Sequence, residues 1–85
     1  QENVLQCSPN PASGIVDCRW SIADGRRVTL KIYDLFGREL RVLVDEVKSP
    51  GEYIVRMDVS DLPAGIYLVR LQAGGQSVIR KIILH

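Results

Sequence analysis

Short runs of alternating apolar and polar residues, each closed by a turn signal, leave this chain little choice of fold. From Gly14 onward, Val16, Cys18, Trp20 and Ile22 fall on one side of an extended segment, and Asp17, Arg19 and Ser21 fall on the other. A period of two belongs to a strand with one buried face, whereas a helix repeats every 3.6 residues. Asp24-Gly25 follows, a dipeptide suited to the positive φ values of a tight hairpin. The next segment obeys the same rule, with Val28, Leu30 and Ile32 inward and Thr29 and Lys31 outward, before Tyr33-Asp34-Leu35-Phe36-Gly37 turns the chain.

The remaining segments are read in the same way. Gln1 to Cys7 forms a weakly marked first strand, and Ser8-Pro9-Asn10-Pro11 ends it, because proline lacks the N–H that a ladder needs. Leu40 to Val44 is apolar on both sides, so its inward set is not assigned by pattern. Ser49-Pro50-Gly51 is a β-turn with proline setting φ and glycine taking the left-handed position. Tyr53, Val55 and Met57 then alternate with Ile54 and Arg56. Asp61 to Gly65 is a longer corner, Ile66 to Gln72 a strand, Gly74-Gly75 a hairpin turn and Ser77 to Leu84 the last strand. No segment shows a helical period. About seven short strands with regularly spaced turns predict an all-β fold, an immunoglobulin-like antiparallel β-sandwich. With 85 residues, the chain is read as a single domain, 1–85, around one core. It opens on Gln1 rather than Met, which fits a fragment of a larger secreted protein.

Leu62-Pro63-Ala64-Gly65-Ile66-Tyr67 sets a tyrosine at the start of a late strand, just after a turn. Immunoglobulin-like domains place a tyrosine there and bond its hydroxyl back to the corner's backbone; the alternative is an ordinary core aromatic. Both readings bury the ring.

The residues offer little chemistry. The only histidine, His85, is the final residue, so no Cys–His or Ser–His couple is held in place. Asp45-Glu46, and Asp58 with Asp61, lie at turns, where carboxylates usually form turns or carry solvated charge. Calcium needs six or more oxygens, and the Asp58–Asp61 pair supplies too few. Gly74-Gly75 lacks the lysine and helix of a phosphate loop, and Trp20 on the apolar side reads as core. Eleven basic residues against ten acidic ones, scattered along the chain, argue against nucleic acid as a partner. No catalytic, cofactor-binding or metal site is assigned, and no small-molecule substrate is expected. Cys7 and Cys18 are the one pair that suggests a covalent link: a disulfide in an exporting compartment, two buried thiols in the cytosol.

The ordered set of turns and strands resembles the C-terminal sorting domain of cargo exported by the type IX secretion system, also called the Por secretion domain, in its type A form. The motifs that carry the resemblance run from Pro9-Asn10-Pro11 through Val28 to Asp34, Leu35-Phe36-Gly37-Arg38-Glu39-Leu40 and Pro50-Gly51-Glu52-Tyr53 to Met57-Asp58. Leu62-Pro63-Ala64-Gly65-Ile66-Tyr67 and Arg80-Lys81-Ile82-Ile83-Leu84 complete them. The family often has tryptophan at the position of Met57 and a terminal lysine at that of His85, and the cysteine pair lies outside its pattern. The resemblance extends to the immunoglobulin-like domain of flagellar hook-capping proteins.

The resemblance implies a non-enzymatic address at the end of a larger protein. Its partners would be fused upstream cargo, the outer-membrane translocon and a sortase-like peptidase. The cargo would cross the periplasm to the surface or surroundings of a Gram-negative cell. The last strand agrees with a docking role, being apolar on both sides: Val78, Ile82 and Leu84 on one, Ile79 and Ile83 on the other. An antiparallel sandwich strand normally keeps one side polar. A translocon component, an upstream domain or a second copy would each cover the extra side. Lys81, Ile82, Ile83 and Leu84 are the expected recognition residues, and Pro9, Asn10, Pro11, Gly37, Gly65 and Tyr67 those that shape the fold. The rival reading is a structural or adhesive immunoglobulin-like module, a spacer or filament subunit, that self-associates and stays in the mature surface protein.

Overall fold

A computed structural model describes residues 3–85 and shows a β-sandwich. Seven strands follow in order: β1 (Val4–Ser8), β2 (Ile15–Ile22), β3 (Arg26–Tyr33), β4 (Glu39–Lys48), β5 (Gly51–Asp58), β6 (Gly65–Ala73) and β7 (Gln76–Leu84). No helix occurs among the described residues. One sheet has three strands in the order β1-β2-β5, the other four in the order β4-β3-β6-β7. Every strand pair is antiparallel.

Alternation sets which residues fill the space between the sheets. From the three-stranded sheet come Leu5, Val16, Cys18, Trp20, Ile22 and Met57; from the four-stranded sheet come Val28, Leu30, Ile32, Tyr67, Val69, Leu71, Ile82 and Leu84. None of these is more than 7% exposed, and no polar or charged side chain is buried among them. Burial of this kind stabilises by roughly 25 cal/mol per Å² of apolar surface removed from water. Trp20 stacks on Tyr53, its partner across the β2–β5 ladder, with ring centroids 4.5 Å apart.

β4 is the least regular strand. Its pairing with β3 shifts register between Leu30 and Lys31, and again between Ile32 and Tyr33. These irregularities leave Val44 and Leu43 both packed toward the core while Leu40, Val42 and Val47 stay exposed. Two such breaks also blunt β4 as a sheet edge.

Candidate recognition surface

β7 is an edge strand of the four-stranded sheet, and it divides the expected recognition residues. Ile82 and Leu84 pair with Tyr67 and Gly65 and point into the core, where they are 0% and 4% exposed. They hold the sandwich together and offer nothing to a partner. Lys81 and Ile83 point the other way and are exposed, as is Ile79.

The outer face carrying these three residues is built in rows by the β3–β6–β7 register. Ile66 lies opposite Ile83; Tyr33, Leu68 and Lys81 form the next row; Lys31, Arg70 and Ile79 form the row beyond. Tyr33, Gly37, Leu68, Arg70 and Ile79 line a shallow hollow of about 210 Å³. The Lys31 ammonium lies 2.8 Å from Glu39, whose carboxylate holds its pKa above the usual lysine value by hydrogen bonding. Arg70 donates from Nη2 to Ser77 at 3.2 Å, while its Nε is shielded from water without a partner. The Leu35-Phe36 tip adds the most exposed large apolar side chain, Phe36 at 86%, with the Arg38 guanidinium 5.4 Å over its ring.

The opposite outer face is built differently. On β1-β2-β5 the outward rows are Val4-Ser21-Glu52, Gln6-Arg19-Ile54, Ser8-Asp17-Arg56 and Ile15-Asp58, so each apolar residue is flanked by polar ones. Arg56 grips Asp17 through two bonds of 2.9 and 3.3 Å, and this holds the Asp17 carboxyl below its ordinary pKa. A wider hollow of about 560 Å³ opens here over Trp20 and Tyr53. Its lining is mixed, with polar Gln6, Arg19, Ser21 and Glu52 set among Val4, Trp20, Tyr53 and Ile54. The apolar, cation-edged face belongs to β7 and its neighbours.

The corners have specific chemistry. Tyr67 donates its hydroxyl to the Pro63 carbonyl at 2.5 Å, so the corner bond is made. Gly65 stands two residues before it at φ +155°, under the tyrosine ring. Tyr53 repeats the arrangement, donating to the Ser49 carbonyl at 2.6 Å with Gly51 at φ +152° beneath it. The sequence reading missed this second corner, although the shared Gly-x-Tyr spacing signals it. At the β3–β4 turn the Asp34 carboxylate accepts from the Phe36 and Arg38 N–H groups and from Arg38 Nε, at 2.9, 3.0 and 2.6 Å. Gly37 supplies the φ of +84° that lets the loop wrap it.

Pro9-Asn10-Pro11 turns out to work at a distance. The Asn10 side chain lies along the outer edge of β7: Nδ2 donates to the Lys81 carbonyl at 3.0 Å, and Oδ1 accepts from the Ile83 N–H at 2.9 Å. Ala12 continues the contact, donating to the Ile83 carbonyl at 2.8 Å and accepting from the His85 N–H at 2.9 Å. One asparagine side chain thereby stands in for a strand's backbone, between two prolines that have no N–H to offer.

A family model described as a secretion system C-terminal sorting domain matches residues 7–85, nearly the whole chain. The chain belongs to this family. It is a C-terminal sorting signal module for type IX secretion. A search of curated proteins finds no match. In this sorting domain Cys7 and Cys18 face each other across the β1–β2 ladder, Cα atoms 4.1 Å apart, and are joined through sulfur. The acids considered for calcium are otherwise engaged. Ser60 donates its hydroxyl and N–H to Asp58, Arg41 pairs with Asp61, and both carboxyls are drawn below their ordinary pKa by those bonds.

Proposed function

We propose that this sorting domain is read as a folded object through the outer face of β3, β6 and β7, with Tyr33, Ile66, Leu68, Ile79, Lys81 and Ile83 as the contact residues. The observation that carries the reading is the asymmetry between the two outer faces. One alternates apolar with charged residues as a solvated sheet does, and the other gathers apolar side chains around Arg70 and Lys81. The partner is a component of the outer-membrane type IX machinery, the cargo is fused upstream, and the domain itself performs no catalysis. Export delivers that cargo to the surface or surroundings of a Gram-negative cell, where a sortase-like peptidase removes the domain. The cysteine pair fits such a route, because disulfides persist in oxidising compartments outside the cytosol.

The test is a reporter carrying a signal peptide, fused to residues 1–85 and expressed in a host that secretes by this system. The paired substitution Ile66→Ser and Ile83→Ser removes apolar surface and leaves the core intact. Normal export of that variant would refute the assignment of the face. Deleting Lys81 to His85 is a poorer test, since it also strips Ile82 and Leu84 from the core.

A further inference from the structure

The outer edge of β7 has two halves in different states. Along an antiparallel strand, successive residues turn their N–H and C=O alternately toward and away from the neighbouring strand. Ile83 gives its N–H to Asn10 and its C=O to Ala12, so Ser77, Ile79, Lys81 and Ile83 all turn away from β6. From the Lys81 carbonyl to the His85 N–H this edge is covered by the Pro9–Ala12 segment. From Ser77 to the Lys81 N–H no strand pairs with it among the described residues, although β1 of the other sheet runs close by and Asn3 Nδ2 donates to Gln76 Oε1 at 3.1 Å just before it. Among the described residues, the one main-chain group met there is the Ile79 carbonyl, which accepts from the Arg80 guanidinium at 3.0 Å.

An unpaired edge is a template for another strand, and proteins that do not use such an edge blunt it with bulges, prolines or a cover. Here β4 is bulged twice, whereas β7 is unbroken over nine residues and covered along only part of its length. The cover is also slight. It makes four hydrogen bonds to β7 and its following residue, two of them from a single side chain.

We propose that the β7 edge is a strand-addition site: an extended strand of the secretion machinery lands on Ser77–Lys81 and runs on toward His85 by displacing the Pro9–Ala12 strap. The proposal rests on the export reading above and specifies how the partner is held. Main-chain bonds supply the affinity in this mode of recognition, and alternate side chains supply the specificity. The incoming strand carries acidic residues, because Arg80 and Lys81 are exposed on β7 and the strand has no carboxylate of its own. It also extends the apolar face that Ile79 and Ile83 begin.

The experiment uses the same reporter fusion with two substitutions at one position. Ile79→Pro removes the outward N–H and leaves the β6 ladder untouched, a placement that edge strands tolerate. Ile79→Ala trims the side chain and keeps the N–H. Export is expected to fall by about tenfold or more for Ile79→Pro and by at least about threefold less for Ile79→Ala, which loses side-chain contact on the face but keeps the main-chain bond; a tenfold loss corresponds to about 1.4 kcal/mol of binding. Full export of Ile79→Pro, or equal losses in both variants, overturns strand addition while leaving the export function standing. Retention of the unmodified fusion inside the cell would instead overturn the export reading itself. A second measurement does not depend on the proline variant. Hydrogen exchange on the 85-residue chain should show the Ile79 N–H exchanging fast and the Ile83 N–H slowly, and Asn10→Ala should bring Ile83 to within about threefold of Ile79. An Ile83 N–H that stays protected in Asn10→Ala overturns the strap.

Discussion

Tyr67 donates its hydroxyl to the carbonyl of Pro63, four residues earlier, and so locks the corner that launches β6 into the centre of its sheet. A partly buried hydrogen bond of this kind contributes about 1 kcal/mol net, and more is lost when the carbonyl is left unmet. Tyr67→Phe should therefore lower stability by about 1–2 kcal/mol in urea denaturation, with the slope unchanged. Tyr53→Phe removes the equivalent bond to Ser49, but at an exposed corner where water replaces it. Its cost should be the smaller of the two; equal costs would show that burial does not set the value of the corner.

The Cys7–Cys18 link closes a short loop, with a sequence separation of 11. Loop-entropy reasoning gives such a cross-link about 3 kcal/mol. The double variant Cys7→Ser and Cys18→Ser should unfold at correspondingly lower urea, and adding a reductant should lower the parent domain to a similar midpoint. A parent domain whose mass shows two free thiols after purification under air would remove the basis of this expectation.

Asp17, Asp34, Asp58 and Asp61 all have their carboxyl pKa lowered in the folded protein. For Asp34, desolvation pushes the value up, and hydrogen bonds from Arg38 and Phe36 more than reverse it. A carboxyl that is more acidic folded than unfolded adds stability that is complete above its unfolded pKa near 4 and is lost as pH falls through the folded value. The melting temperature should thus be flat from about pH 5 to 7 and fall below about pH 4. Asp34→Asn should lower the plateau and make the acid limb shallower. An acid limb of unchanged steepness would exclude Asp34 as a contributor.

Neighbouring residues on β7 should behave oppositely. Ile82→Ala hollows the core and is expected to cost about 2–4 kcal/mol, whereas Ile83→Ser should change stability by less than about 0.5 kcal/mol. Export efficiency should follow the reverse order once both variants are held at a temperature where they are folded. A loss of export that tracked stability alone would contradict a read face.

Much of the sandwich could be read from residue order. β2, β3 and β5 keep strict alternation because each packs one face on the opposing sheet, and Val16, Leu30 and Met57 fall inward as their patterns require. Leu40 to Val44 could not be read. Two bulges reset the parity of β4, and a bulge arises from pairing with β3 rather than from the local composition of β4. The apolar character of both sides of β7 was legible, but which side faces the core depends on its register with Tyr67 and Gly65. Asn10 was visible as part of a proline-rich turn. Its bonds to Lys81 and Ile83 reach across most of the chain, beyond any local pattern.

The separation between Asn10 and Ile83 is 73 residues. A clasp between such distant positions cannot form on a nascent chain until nearly all of the domain has emerged, so this closure registers that synthesis has run through the last strand. A chain cut short within β7 lacks both the inward pair that seals the core and the groups that Asn10 grasps. Wholeness of the polypeptide and completion of its tertiary structure are tied to the same few atoms.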